Sequence, residues 1–341
     1  MNIANPRSII FKIVATVVTL LFLLMVFALP VSAKAGGYIA SPIPAKVGKI
    51  KEYTVPTPNS SPEGVTPGPD GNLWFTENNG NNIGRLDSQG HITEFPVPTP
   101  NSIPIGIIPG PDGNLWFDEF KGNKIGRITT SGQITEFAVP TPKGKPDFII
   151  PGPDGNLWFD EFKGNKIGRI TTSGQITEYP IPSANSFPGY ITIGPDGNLW
   201  FTEQSTDKIA RITTAGHFKE FSVPTRNSNP FGLAPGPDGN LWFTETNSNK
   251  IGRITTSGQV TEFHIPTAKS TPFAIAPGFD GNLWFTELNG NKIGRITPSG
   301  DITEYPIPTA SSGATGITPF FDGNIWFAES GGNKIARITT H

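Results

Sequence analysis

The chain has 341 residues, 26 Lys and Arg against 28 Asp and Glu, a net charge of −2 and no cysteine. Disulfides and thiolate metal sites are thereby excluded, and no Lys/Arg run suggests a basic face for nucleic acid. With 40 glycines and 35 prolines, the composition fits a turn-rich all-β chain rather than a helical one.

In chain order, the first feature is an N-terminal leader. Arg7 and Lys12 precede an apolar run from Ile13 to Leu29, which Pro30 breaks. Val31-Ser32-Ala33 then places small residues where signal peptidase cuts. Residues 1–33 read as a secretory signal peptide and 34–48 as a linker. A secreted or cell-surface protein is expected, free of the membrane after cleavage. The alternative is a retained anchor, because the run is almost long enough to span a bilayer.

From residue 49 to 341 the chain repeats itself. Its seven tryptophans, Trp74, Trp116, Trp158, Trp200, Trp242, Trp284 and Trp326, are each 42 residues apart. Asp stands four places before each Trp, Glu three places after and Arg eleven after. Such a period marks a repeat array. In the first unit, "EGVTPG" (63–68) is strand A and "PDGN" a hairpin turn. "NLWFTE" (72–77) is strand B, "IGRLD" (83–87) strand C and "HITEFPV" (91–97) strand D. Four antiparallel strands per unit predict a β-propeller blade. Proline and glycine interrupt every unit, and no stretch has a 3.6-residue apolar period, so a helical repeat is not supported.

Strand B explains how blades would stack. Leu73 and Phe75 face one side and Trp74 and Thr76 the other, so both faces meet a neighbour. Burying each indole corresponds to a gross stabilisation of at most about 5 kcal/mol. Trp74 and Arg85 are expected cross-strand, within cation–π reach. The last unit ends after strand C, while "KIKEYTVPTP" (49–58) aligns with "HITEFPVPTP" (91–100). The N-terminal strand should therefore complete the last blade and remove the open edge. The prediction is an all-β, seven-bladed β-propeller of four-stranded blades, monomeric, closed by its N-terminal strand.

Repeated positions serve the fold first. The Glu after each Trp could form a ring at one rim, or else satisfy backbone or pair with nearby Arg. A special task requires positions that break the repeat. The most variable lies eleven before each Trp: Glu63, Ile105, Asp147, Gly189, Phe231, Phe273 and Thr315. These open the innermost strand and should line the mouth of a central funnel. The ligand-binding candidates are Glu63, Ile105, Asp147, Phe231, Phe273 and Thr315, for a small-molecule or peptide-like ligand. Phe231 and Phe273 could form an apolar platform or plug the channel. Asp118 and Asp160 replace Thr in blades 2 and 3. With Glu63 and Asp147 they are candidate oxygen ligands for Mg²⁺ or Ca²⁺, unless the rim is simply salt-bridged, with Lys121, Lys145 and Lys163 near to neutralise them. Residues 107–136 and 149–178 are identical, so distinct chemistry on those two blades is hard to place there. The histidines do not converge on the funnel. His91 and His217 open strand D at the opposite end, His264 is in an outer strand and His341 is terminal.

The phrases "GPDGNLWFTE" (68–77) and "NKIGRITTSGQITEFAVPT" (123–141) resemble the virginiamycin B lyase, or streptogramin lyase, family. The resemblance covers all seven units. It implies a monomeric seven-bladed propeller that opens cyclic depsipeptides at their ester by elimination, with Mg²⁺ and a histidine base at the funnel mouth. A base removing the proton α to a carbonyl while a metal stabilises the enolate is sound chemistry. In the family the histidines lie in "P-H-x-I" phrases. The matching phrases here are PEGV, PIGI, PDFI, PGYI, PFGL, PFAI and ATGI, and none holds histidine. The family's metal-binding glutamate before that motif is also unmatched: Ser61, Ile103, Lys145, Phe187, Asn229, Thr271 and Gly313 stand there. The resemblance therefore transfers no catalytic residue. The expected function is a secreted ligand or partner binder without lyase chemistry. The alternatives are a lyase using Glu63 or Asp147 as base, raised in pKa by burial, and a surface-adhesion scaffold.

Overall fold

The computed structural model describes residues 47–341; the leader and most of the linker lie outside the described residues. Twenty-eight strands of five or six residues form seven four-stranded antiparallel sheets, and the described residues contain no helix. In blade 1 the strands are Pro62–Pro67, Leu73–Glu77, Asn82–Leu86 and Ile92–Pro96, innermost to outermost, within a residue of the sequence prediction.

The repeated phrase "PDGNLW" is a turn joined to a wedge. Asp70 accepts the Asn72 backbone N–H and the Trp74 indole N–H, the latter at 2.9 Å. Gly71 takes φ 78°, the left-handed conformation a tight Asp-Gly turn requires. Trp74 pairs across the sheet with Arg85, whose guanidinium lies 5.6 Å from the indole centroid, as expected. The indole also stacks on Phe95 at 5.5 Å. Trp74 is fully buried and joins Leu115 and Phe117 of blade 2, whereas Leu73 and Phe75 join Trp326 of blade 7. Each sheet is thus clamped on both faces.

Closure follows the predicted plan. Ile50–Thr54 pairs antiparallel with Lys334–Ile338, with Glu52 opposite Ala336. Tyr53 stacks on Trp326 at 5.5 Å, and Lys334 donates to Glu52 at 2.6 Å. Glu52 thereby plays the part of the outer-strand glutamates elsewhere. Each of those accepts from a Thr or Ser in the segment entering its blade, as Glu136 accepts from the Thr99 N–H and hydroxyl at 2.8 and 2.9 Å.

Candidate functional site

Strand A of every blade carries a β-bulge at the funnel. In blade 1, Pro62 pairs with Glu77 but Val65 pairs with Phe75, so Glu63 and Gly64 together oppose Thr76. A bulge re-aims side chains and breaks strict alternation. Thr76 fills the gap: its hydroxyl accepts the Gly64 N–H at 2.9 Å and donates to the Ile105 carbonyl of the next blade at 2.7 Å. Thr244 does the same for Gly232 and Phe273, and Thr286 for Ala274 and Thr315. Thr202 likewise donates to the Phe231 carbonyl at 3.0 Å, so the innermost strands of blades 1, 4, 5 and 6 are each stitched to the next blade at the level of the candidate residues. Glycine suits the second bulge position because a Cβ on Gly64 would meet the Ile105 carbonyl at 2.3 Å.

The bulge brings some candidates together and withdraws others. A central cavity of about 140 Å³ is lined by Glu63, Phe273, Phe148 and Tyr190 among others. Phe231 and Phe273 lie 4.3 Å apart by centroid, and Phe231 meets Phe148 at 5.8 Å and Tyr190 at 5.9 Å. Phe148 and Tyr190 are 4.1 Å apart. Four rings from blades 3 to 6 therefore form one continuous wall. Ile105, Asp147 and Thr315 are buried, at 8%, 7% and 6% exposure. Sequence reasoning missed Phe148 and Tyr190. Their signal was the position after the one chosen, which holds Gly or Ala in the other five blades.

The acids cluster under this wall. Asp118 Oδ2 accepts the Gly106 N–H at 2.8 Å and Asp160 Oδ1 accepts the Phe148 N–H at 3.0 Å, as the threonines do. A carboxylate cannot donate onward to the next blade, and the second oxygen of each has no partner. Burial pushes Asp118, Asp147 and Asp160 well above the usual carboxylate range, and mutual repulsion among them and Glu63 adds to it. Burial raises Glu63 as well, against the hydrogen bond that Asn78 donates to it. The neighbouring lysines do not neutralise this group, contrary to that expectation. Lys145 lies over the Phe120 ring at 4.7 Å, Lys163 lies over Phe187 at 4.2 Å, and Lys121 is exposed.

Among the described residues, no three His, Cys, Asp or Glu side chains converge in a way that could hold a metal ion. Asp118 and Asp160 each spend one carboxylate oxygen on a backbone N–H.

The rim above the cavity is built from paired segments. The residue after strand B donates its N–H to the residue before the strand A proline: Phe120 to Ile103 at 3.1 Å, Phe162 to Lys145 at 3.0 Å, Gln204 to Phe187 at 3.3 Å. Phe120 and Phe162 are 6.0 Å apart, and Phe162 stacks on Phe187 at 5.2 Å. Elsewhere on the rim, Ser61 shares a hydrogen bond with Ser330 at 2.6 Å, and Asn289 donates to Thr271 at 2.7 Å.

The repeated glutamates do not reach this rim. Glu77, Glu119, Glu161, Glu203, Glu245, Glu287 and Glu329 have no exposure. Nor do they pair with Arg, the alternative raised from sequence: each Arg faces the turn Asp instead, as Arg211 does Asp196 at 2.8 Å. Burial first, then repulsion from the outer-strand glutamate, pushes Glu287 to about 7 and Glu119 to about 8. The histidines stay apart. His91 is exposed beside Asp87 at 3.1 Å, and His264 pairs with Lys250 in an outer strand.

Comparison with known proteins places this geometry. The family model described as the virginiamycin B lyase family matches residues 44–198 and 183–341. The chain belongs to the virginiamycin B lyase family. A solved streptogramin B lyase is 41% identical, with a TM-score of 0.83, over 86% of this chain and 98% of that one. Virginiamycin B lyase from Staphylococcus aureus is 45% identical, with a TM-score of 0.82, over 85% of this chain and 99% of that one. A catalytically inactive His-to-Ala variant from that organism, solved with quinupristin, is 44% identical over 85% of this chain and 99% of that one, with a TM-score of 0.82. Virginiamycin B lyase of Bacillus licheniformis is 50% identical over 42 residues, which is 12% of this chain and 14% of that protein. The stretch shared with this family member is one blade long.

Proposed function

We propose that this family member binds a ligand at the mouth of its central channel and does not perform the family's ring-opening reaction. The observation that carries this reading is the chemistry of the mouth. Where the resemblance calls for a histidine base, strand A opens with Phe231 and Phe273, which join an aromatic wall. In a Staphylococcus aureus relative, a single His-to-Ala variant is catalytically inactive. This chain has four histidines, and none stands in a strand A. The leader supports a secreted or cell-surface setting and the closed ring a monomer.

One observation favours a second reading, a lyase with a carboxylate base. Glu63 lines the cavity, and burial raises its pKa toward the range of a working base. Quinupristin incubated with the protein and Mg²⁺ separates the two. Eliminative ring opening leaves the mass unchanged, so the product is read by chromatographic retention and fragmentation. The binding reading predicts unaltered quinupristin. Ring-opened product that disappears in Glu63→Gln would establish the second reading instead.

A further inference from the structure

The rim of the funnel is chemically divided in a way the fold does not require. On blades 2 to 4 it presents Phe120, Phe162, Phe187, Lys145 and Lys163, all partly or fully accessible. At the equivalent places the remaining blades hold small or polar residues such as Ser61, Asn78, Asn229 and Ser330. Leu288 is the one large apolar residue there.

Three features mark this ledge as a recognition surface. The first is its backbone. Ile103 and Phe187 lie at φ 55° and 49°, the left-handed region that side chains of this bulk disfavour. Gly313 and Asn229 occupy the same position at φ 58° and 51°, so the turn forms without a large apolar group. Holding an apolar side chain there is a local strain of the kind found at binding sites. The second is free positive charge. Lys124, Lys166, Lys208, Lys250, Lys292 and Lys334 each pair with an outer-strand glutamate. Among the described residues, Lys145 and Lys163 have no carboxylate partner; their ammonium groups sit 4.7 Å over Phe120 and 4.2 Å over Phe187. The third is continuity. Ile103 and Phe120 pack on the same apolar cluster as Phe148, Tyr190 and Phe231, so ledge and channel wall are one surface.

We propose that this ledge is a subsite for a flat apolar group bearing an anion: the ring lies against Phe120, Phe162 and Phe187 while Lys145 and Lys163 take the carboxylate or an equivalent oxyanion. This deepens the ligand-binding reading and rests on it. An ammonium held over an aromatic face is already positioned, so an arriving anion gains charge–charge attraction with little ordering cost. A cationic aromatic of the same shape is repelled by the same two groups.

The test uses a matched pair of probes, naphthalene-2-carboxylate and naphthalen-2-ylmethylammonium, titrated against the protein and followed by calorimetry and by ring-proton NMR. The carboxylate should bind at one site, more weakly as salt is raised, and the ammonium should not. Lys145→Gln with Lys163→Gln should weaken carboxylate binding about tenfold, and Lys163→Arg should largely preserve it. Melting curves of the variants confirm that the ring is intact. Equal binding of both probes, or carboxylate binding untouched by the double lysine change, overturns the proposal. If binding is lost in Phe273→Leu but not in the lysine variants, the ligand belongs to the channel wall and the ledge assignment fails while the broader reading stands. Opening of quinupristin is a separate readout and bears only on the broader reading.

Discussion

Glu287→Gln should remove a measurable part of the stability the protein loses as pH rises from acid to neutral. Glu287 has no exposure and sits beside Ser270 and the outer-strand Glu304. Burial, followed by repulsion from Glu304, raises its pKa from 4.5 to about 7. A group raised on folding contributes stability that is complete below its unfolded pKa and is lost as pH climbs through its folded pKa. The loss therefore runs from about pH 4.5 to about pH 7 and beyond. The rise corresponds to about 3 kcal/mol between the two ends of that window. Glutamine cannot ionise, so the variant escapes this loss. Urea unfolding followed by tryptophan fluorescence at pH 5 and pH 9 reads it as a double difference. The gap between the two pH values should narrow by about 3 kcal/mol in the variant. Starting at pH 5 avoids the opposing outer-strand groups. Burial works against ionisation of Glu304, but Lys292 and Thr267 hold its pKa below 4.5, so its contribution is lost only in acid. A wild-type-to-variant difference that does not change between pH 5 and pH 9 would refute the reasoning.

The same logic at the channel gives Asp118→Asn. An amide can keep the Gly106 N–H bond and also donate to the Asp147 carbonyl, as threonines donate to the equivalent carbonyls in other blades. At pH 8 the variant should be more stable by about 1–3 kcal/mol, and the gain should shrink toward pH 4, because a group whose pKa is raised by folding costs stability only as pH rises. Denaturant melts at the two pH values decide it, and a loss of stability at pH 8 would contradict the missing-donor argument. Trp200→Ala should cost about 3–5 kcal/mol, because the indole is fully buried between blades 4 and 5; an unchanged melting curve would contradict the wedge account. Deleting residues 49–56 removes the outer strand of the last blade, with its Lys334–Glu52 and Tyr53–Trp326 contacts. Calorimetry should show a lower melting temperature and an aggregating edge, and an equally stable truncation would show that closure contributes little.

The ring was legible because its signals recur. Trp, Asp, Glu and Arg at a fixed 42-residue step each have one job, repeated in every blade: indole wedge, turn acceptor, buried acid and indole cover. The closing strand was legible because Glu52 aligns with Glu94. The site was harder to read, for three physical reasons. The bulge puts two consecutive residues toward the channel, so taking the single most variable position selected Phe231 and Phe273 but passed over Phe148 and Tyr190 one place later. Left-handed backbone is signalled in sequence by Gly or Asn, and nothing announces it at Ile103 or Phe187. Finally, identity between blades 2 and 3 argued against a site there. Yet Phe120 and Phe162 are the identical pair that differs from the other five blades, and together they build the ledge.

The fate of quinupristin under single-turnover conditions tests the central claim most directly, with protein in excess, magnesium present, and retention time followed over hours. Every molecule should elute as the intact ring, in the presence of protein as in its absence. Conversion of the bound pool to a ring-opened isomer would contradict it.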